Sequence, residues 1–148
     1  MLYETLARLF DKDLSALKKE IAAYTNETDL WIIKDGISNS GGNLCLHLVG
    51  NLKYFIGKTL GNIPYERNRE KEFSDKNIPV ENLITAIEET KSAVIETLHN
   101  LKNGDLEKIY PINVFGTEMT TENFVLHLYG HLNYHLGQIN YHRRLLNK

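Results

Sequence analysis

The sequence predicts an all-α protein that folds as a single four-helix bundle, and three observations carry this prediction. The chain has 148 residues, the length of one domain, and 42% of them are hydrophobic while 24% are charged, the mix of an ordinary globular protein. Its three prolines, Pro64, Pro79 and Pro111, leave long stretches free of this helix breaker. Within those stretches apolar residues recur every three or four positions, as on a helix with one buried face.

The first helix is expected over residues 2–24, where one face is apolar and the charged residues lie mostly off it. That face is formed by Leu2, Leu6, Phe10, Leu14, Leu17, Ile21 and Tyr24. Residues 26–42 lack this periodicity and are expected to form a loop. Within the loop we expect Trp31, Ile32 and Ile33 to pack inward.

The second helix is expected to begin at Ser40 or Asn43, because the Ser-Gly-Gly-Asn run suits a turn followed by an N-cap. It should end at about residue 60, before a Gly-Asn pair that is typical of helix C-termini. A charged connection over residues 65–75 leads on to Pro79. This connection is long enough to cross the bundle, so an up-down-down-up order is possible, although the length alone does not fix it.

The third helix is expected over residues 80–102, again ending at an Asn-Gly pair. Its inner face is formed by Leu83, Ile87, Thr90, Val94, Leu98 and Leu101. Residues 108–115 alternate weakly and are expected to be extended. The fourth helix is expected over residues 121–146, with Thr120 as its N-cap.

Histidine is the chemically informative residue in this sequence, because four of the six histidines fall within the fourth predicted helix. At about 100° per residue, His131 and His135 lie on the apolar face and point toward the same spot. A buried neutral imidazole keeps one donor and one acceptor that need partners. A divalent cation can satisfy one nitrogen of each ring, and metal-binding helices use this spacing. His127 and Gln138 flank the pair, and His142 lies on the same face two turns later.

Two ligands rarely suffice for a metal, so a third is expected from another helix, and His47 is the candidate. It belongs to a polar stripe on an otherwise apolar second helix, and that stripe can line an inner pocket. The stripe consists of Asn43, His47, Asn51, Tyr54 and Lys58. The alternative for each histidine alone is a hydrogen-bonded or surface residue, and it is the pair on the fourth helix that favours a metal site.

Other reactive groups have simpler interpretations. Glu96 and His99 match half of a ferritin-type di-iron pattern, but they lie opposite the apolar face and no second copy of the pattern occurs, so His99 is expected at the surface. Cys45 points away from His47 and is expected to serve packing. Two pairs of glycines are expected to let helices approach closely: Gly50 with Gly57, and Gly130 with Gly137.

Composition argues against several classes of protein. Lys and Arg total 17 against 19 for Asp and Glu, a net charge of −2, so a dedicated nucleic-acid binder is not expected. One cysteine excludes an internal disulfide framework. No apolar run reaches the length of a transmembrane helix, and no signal peptide is visible. A cytoplasmic protein without a membrane or nucleic-acid partner is therefore expected.

Three segments resemble the DinB-like superfamily of metal-binding helical bundles, and the similarity extends over essentially the whole chain. They are HLVGN at 47–51, RNREKEF at 67–73 and HLNYHLGQI at 131–139. The resemblance implies an up-down-down-up four-helix bundle, often homodimeric. It also implies that His47, His131 and His135 are the metal ligands.

Three neutral imidazoles suit zinc or nickel, and also iron or copper, and they leave a coordination position open. The characterised members of the superfamily that this sequence resembles are thiol S-transferases and isomerases that use bacillithiol or mycothiol. The resemblance therefore implies a metal-dependent transferase that joins a low-molecular-weight thiol to a small electrophile. His127, Gln138 and Tyr54 are candidates for orienting the reactants or exchanging protons, and Asn51 for supporting a ligand ring.

Two alternatives remain open from the sequence. The first is a non-catalytic, dimeric metal-binding protein associated with stress. The second is a metal-dependent hydrolase, which is weakened because no Asp or Glu lies beside the histidine pair of the fourth helix.

Overall fold

The computed structural model describes residues 1–147, and its regular structure is helical. A 3₁₀ helix, Glu27–Trp31, follows the first α-helix, and a π-helical turn, Lys53–Lys58, continues the second. The α-helices are α1 (Leu2–Ala22), α2 (Gly41–Leu52), α3 (Arg69–Ser74), α4 (Val80–His99) and α5 (Thr121–Leu146). The all-helical prediction is confirmed, with α3 as an added short helix inside the charged connection.

The starts of α2 and α5 are set by local capping, as the sequence predicted. The Ser40 side chain accepts a hydrogen bond from the Asn43 amide at 3.2 Å, and Thr120 accepts one from the Asn123 amide at 3.2 Å. Helices α1 and α4 end two to three residues earlier than expected, within the usual fraying of a last turn. The inward packing expected for Ile33 is wrong, because this side chain is 50% exposed.

The π-helical turn breaks the regular pattern predicted for the second helix. The Tyr110 hydroxyl donates to the Phe55 carbonyl at 2.6 Å, and the Thr59 hydroxyl donates to the Tyr54 carbonyl at 2.9 Å. These bonds satisfy backbone acceptors inside the widened turn. Residues 108–115 are largely irregular and join the start of α5 through a single bridge between Ile109 and Thr120.

Ion pairs and hydrogen bonds between helices fix their directions. Helix α1 runs antiparallel to α4 and parallel to α5, while α2 runs parallel to α4 and antiparallel to α5. For α1 the pairs are Lys18–Glu88 and Asp11–Lys91 on α4, and Asp13–Tyr129 and Glu20–Arg143 on α5. For α2 and the turn that continues it, Lys53 pairs with Glu89 and Gly57 approaches Ala93 on α4, while Gly41 approaches His142 and His47 approaches His131 on α5. The order is therefore up-down-down-up.

The core is filled by the predicted apolar faces of the four long helices. Fully buried members include Leu6, Phe10, Leu14, Leu17, Leu48, Leu52, Leu83, Ile87, Phe124 and Leu132. No helix within residues 1–147 combines the length and the hydropathy needed to cross a lipid bilayer. His47, from the polar stripe of α2, faces α5 at one side of this core, and the histidines meet there.

Candidate metal centre

Three histidines from two antiparallel helices converge at one point. Nε2 of His131 lies 3.1 Å from Nε2 of His47 and 3.1 Å from Nε2 of His135. Each residue offers one ligand atom, and all three atoms lie within 4.8 Å of one another. The pair on α5 is brought together by its four-residue spacing, and His47 faces it because α2 and α5 pack side by side.

The spacing of these nitrogens suits a single small cation. Three neutral imidazoles that turn their Nε2 lone pairs toward one point repel each other unless a proton or a cation lies between them. Nitrogens held at 2.0–2.1 Å from a tetrahedral Zn²⁺ lie roughly 3.4 Å apart, close to the 3.1 Å seen here. His47, His131 and His135 therefore fit a metal ion by distance, donor type and orientation.

A buried carboxylate holds the outer nitrogen of His47. Nδ1 of His47 donates to Oε1 of Glu72 at 3.0 Å, which leaves Nε2 as the ligand atom. Glu72 is only 6% exposed. Arg67 binds it with two donors, Nε to Oε2 at 2.8 Å and Nη2 to Oε1 at 2.9 Å. Burial alone would raise the pKa of Glu72, but the bonds from His47 and Arg67 outweigh it and hold this pKa below its usual range.

Helix α3 is fixed on α2 so that Glu72 can reach the site. The side-chain amide of Asn43 donates to the carbonyls of Glu72 at 3.0 Å and Asp75 at 2.9 Å. Gly50 lies beneath the Glu72 side chain, and a Cβ at this position would overlap the carboxylate. The close approach expected at Gly50 is therefore present, but its partner is a side chain of α3.

The outer nitrogens of the two histidines on α5 have different surroundings. Nδ1 of His135 donates to Oε1 of Gln138 at 2.7 Å, while Nδ1 of His131 is buried and has no hydrogen-bond partner in the described part of the chain. Burial, together with the nearby His135 and His47, lowers the pKa of His131 to about 4. Burial also lowers the pKa of His135, although the Gln138 bond opposes this. Both rings are thus neutral at neutral pH, as metal binding requires.

The other predicted site residues lie around the centre at different distances. Gln138 is bonded to His135, as described above. His127 is exposed one turn before His131, with ring centroids 6.3 Å apart, and packs edge-on against Phe115 at 4.8 Å. Tyr54 lies half-buried in the π-helical turn, 6.0 Å from the Arg67 guanidinium. Within residues 1–147, neither His127 nor Tyr54 is hydrogen-bonded to a triad ring.

The support expected from Asn51 is wrong, and Glu72 takes that role. Oδ1 of Asn51 is buried without a hydrogen-bond partner among the described residues. Sequence reasoning noted the 67–73 segment only as part of a resemblance, because a carboxylate in a charged connection carries no periodic signal that marks it as buried. The signal that was present is the pairing of an arginine and a glutamate five residues apart.

His99 and Cys45 lie where the sequence predicted them, whereas Gly130 and Gly137 do not serve close helix packing. His99 is exposed at the end of α4, as predicted. Cys45 is fully buried, and burial raises the pKa of its thiol to about 12, so its packing role is confirmed. The close approach expected at Gly130 and Gly137 is wrong: a Cβ at either position would meet no described atom within 4 Å.

Comparisons with known proteins agree with the fold and the resemblance. The chain is similar to the crystal structure of a DinB-like protein from Bacillus cereus, with a TM-score of 0.75 and 20% identity over 96% of this chain and 91% of that chain. No curated protein matches it. The family described as "Protein of unknown function (DUF1572)" matches residues 3–148. The chain therefore belongs to the DUF1572 family, and its fold is DinB-like.

Proposed function

We propose that this protein binds one divalent metal ion and catalyses the transfer of a low-molecular-weight thiol to small electrophiles. The observation that carries the proposal is the convergence of three imidazole nitrogens from α2 and α5. Three protein ligands leave a position open on a tetrahedral ion, which is typical of catalytic rather than structural sites.

Three imidazole donors suit zinc, nickel, iron and copper alike, and we propose zinc or nickel as the ion. When bound, such a cation lowers the pKa of a coordinated thiol or water by several units. The protein's own part is to keep the rings of His131 and His135 neutral through burial, and to aim the Nε2 atoms of all three histidines at one point. Glu72 and Gln138 fix the tautomers of two of these rings through their Nδ1 atoms.

Hydrolysis is less well supported than thiol transfer. A hydrolase of this kind needs a carboxylate or another base free to take a proton from water. Glu72 touches the triad, but its Oε1 accepts from His47 and Arg67 and its Oε2 accepts from Arg67. A carboxylate engaged in this way positions a ligand ring and is a poor general base.

The test is a thiol-transfer assay on protein loaded with zinc or nickel. Cysteine, glutathione, coenzyme A and bacillithiol are each combined with crotonaldehyde. In this addition the S–H and C=C π bonds break, a C–S bond forms at the β-carbon, and the proton lost by the thiol is balanced by one added at the α-carbon. We expect a rate above the uncatalysed reaction that depends on the metal and is lost in His135→Ala. His99→Ala, which removes an exposed histidine outside the site, should retain it.

The competing functions predict different outcomes of this assay. Stoichiometric metal without turnover of any thiol would favour the non-catalytic metal-binding protein. Metal-dependent ester hydrolysis without a thiol would favour the hydrolase. The homodimer implied by the resemblance stays a prediction, which light scattering at micromolar concentration tests and a monomer would contradict.

A further inference from the structure

A cleft of about 890 Å³ lies beside the candidate metal centre. Residues 34–39 form one wall, and the last half of α5, from Tyr134 to Leu146, forms the other. At 1.5 Å per residue this stretch of helix is about 18 Å long. The cleft is therefore elongated, and its volume is within the range of small-molecule sites.

The walls of the cleft are mainly apolar. Large side chains on both walls are exposed: Ile37 is 44%, Tyr134 66%, Tyr141 65% and Leu145 73% exposed. Gly137 lies between the two tyrosines on α5 and leaves the helix backbone open to the cleft. Apolar surface gathered in a concave site is typical of a binding site for an apolar molecule.

One end of the cleft carries a free donor next to the triad. Oε1 of Gln138 accepts from Nδ1 of His135, so the Gln138 amide nitrogen keeps its hydrogens for another partner. His142 also lines the cleft, but Nε2 donates to the Ile32 carbonyl at 2.8 Å and Nδ1 accepts from the Tyr24 hydroxyl at 2.7 Å. Lys34, Ser38 and Asn39 also line the cleft, but Gln138 is the lining side chain that is bonded to a triad histidine, so its amide can anchor a ligand oxygen next to His135.

We propose that this cleft binds the electrophilic co-substrate, an elongated and mainly apolar carbonyl compound. Its carbonyl oxygen accepts a hydrogen bond from the Gln138 amide, and its apolar chain lies between Ile37, Tyr134 and Leu145. This inference rests on the proposed thiol transfer, and it adds the chemical class of the molecule that receives the thiol. A long α,β-unsaturated aldehyde such as decenal has this shape, whereas crotonaldehyde has the same reactive group without the chain.

Two glycines on α5 provide a matched test. Gly130 and Gly137 are seven residues apart, and both have open space where a Cβ would be, but only Gly137 is among the residues that line the cleft. Leucine at either position suits a helix better than glycine does, so both variants should fold. Gly137→Leu places a side chain in the cleft, and Gly130→Leu places the same side chain outside it.

Binding is measured first, by fluorescence titration of the metal-free protein with anilinonaphthalene sulfonate, an aromatic anion whose fluorescence increases when its rings enter an apolar site. We expect one site on the wild type, at least tenfold weaker binding to Gly137→Leu, and a change of less than twofold in Gly130→Leu. Equal affinities for the two variants would overturn the proposal. So would a change of oligomeric state in Gly137→Leu alone, seen by light scattering, because the cleft would then be covered by a second copy.

Turnover separates this inference from the proposed function. If thiol transfer occurs, Gly137→Leu should raise KM for decenal at least tenfold and change KM for crotonaldehyde less than twofold. Transfer with unchanged KM for both aldehydes would overturn the cleft assignment while the proposed function stands. A different result would be weakened probe binding to Gly137→Leu together with no thiol transfer by the wild type. That result would contradict the proposed function but would support the cleft as a binding site.

Discussion

Helix α5 carries two sets of inward-facing histidines on one face, the half-buried pair His131 and His135 and the buried His142, and they differ in how their nitrogens are used. At His142 both ring nitrogens have protein partners, Tyr24 and the Ile32 carbonyl. At His131 and His135 the Nε2 atoms face each other and Nε2 of His47. Position on the helix is the same in both cases, so it is the inventory of partners that separates a structural histidine from a candidate metal ligand.

The largest expected difference is in metal content. His135→Ala should abolish stoichiometric zinc or nickel, because two remaining histidines make a poor site. His142→Ala should retain one equivalent but lose about 1–3 kcal/mol of stability, because it leaves the Ile32 carbonyl without its partner and the Tyr24 hydroxyl with only a 3.5 Å bond to the Ile139 carbonyl. Elemental analysis and urea unfolding measure these effects. Full metal content in His135→Ala would show that His135 is not a required metal ligand, and would remove the distinction drawn between His135 and His142.

Removing the charge that supports His47 should have the next largest effect. Glu72→Gln keeps the size of the side chain but removes the anion that accepts from Nδ1 of His47, so metal affinity should fall about 10–100-fold. Glu70→Gln changes an exposed acid on the same short helix and serves as the control. Titration against a chelator of known affinity measures both variants, and equal affinities would show that Glu72 does not support the ligand.

Gly50 tests the contact between Glu72 and His47 in a second way, because it lies directly against the Glu72 side chain. Gly50→Ala should weaken metal binding roughly tenfold, because its Cβ would overlap the Glu72 carboxylate and move it away from His47. At Gly57 an added Cβ would make an ordinary contact of 3.5 Å with Ala93. Gly57→Ala should therefore bind metal normally and unfold at an equal or higher urea concentration. If Gly50→Ala bound metal with normal affinity, the Glu72 carboxylate would not lie against Gly50 as described.

The last prediction concerns the pH dependence of the stability of the metal-free protein. The pKa of His131 is lowered to about 4 in the fold, and it returns to about 6.5 on unfolding. Between these values the unfolded chain binds more protons, so stability should be lost as the pH falls from about 6.5 toward 4. His131→Leu should flatten this part of the Tm profile, whereas His99→Ala should not. If the slope of Tm against pH were unchanged in His131→Leu, the lowered pKa of His131 would be contradicted.

The sequence predicted what depends on local signals. The bounds of α5 follow from the Thr120 cap and an unbroken apolar face, and the pairing of His131 with His135 follows from helical spacing. Glu72 and the π-helical turn were missed because they depend on distant partners. Glu72 is buried only through α2 and Arg67, and the turn is stabilised by Tyr110 from the connection before α5.

The central claim is that three imidazoles from α2 and α5 bind one ion, and X-ray absorption at the zinc edge tests it most directly. Protein titrated with one equivalent of Zn²⁺ should show three imidazole nitrogens at about 2.0–2.1 Å and one further light ligand. The same measurement on His47→Ala should show one imidazole fewer. A spectrum with sulfur ligands, or one unchanged by loss of His47, would contradict the account.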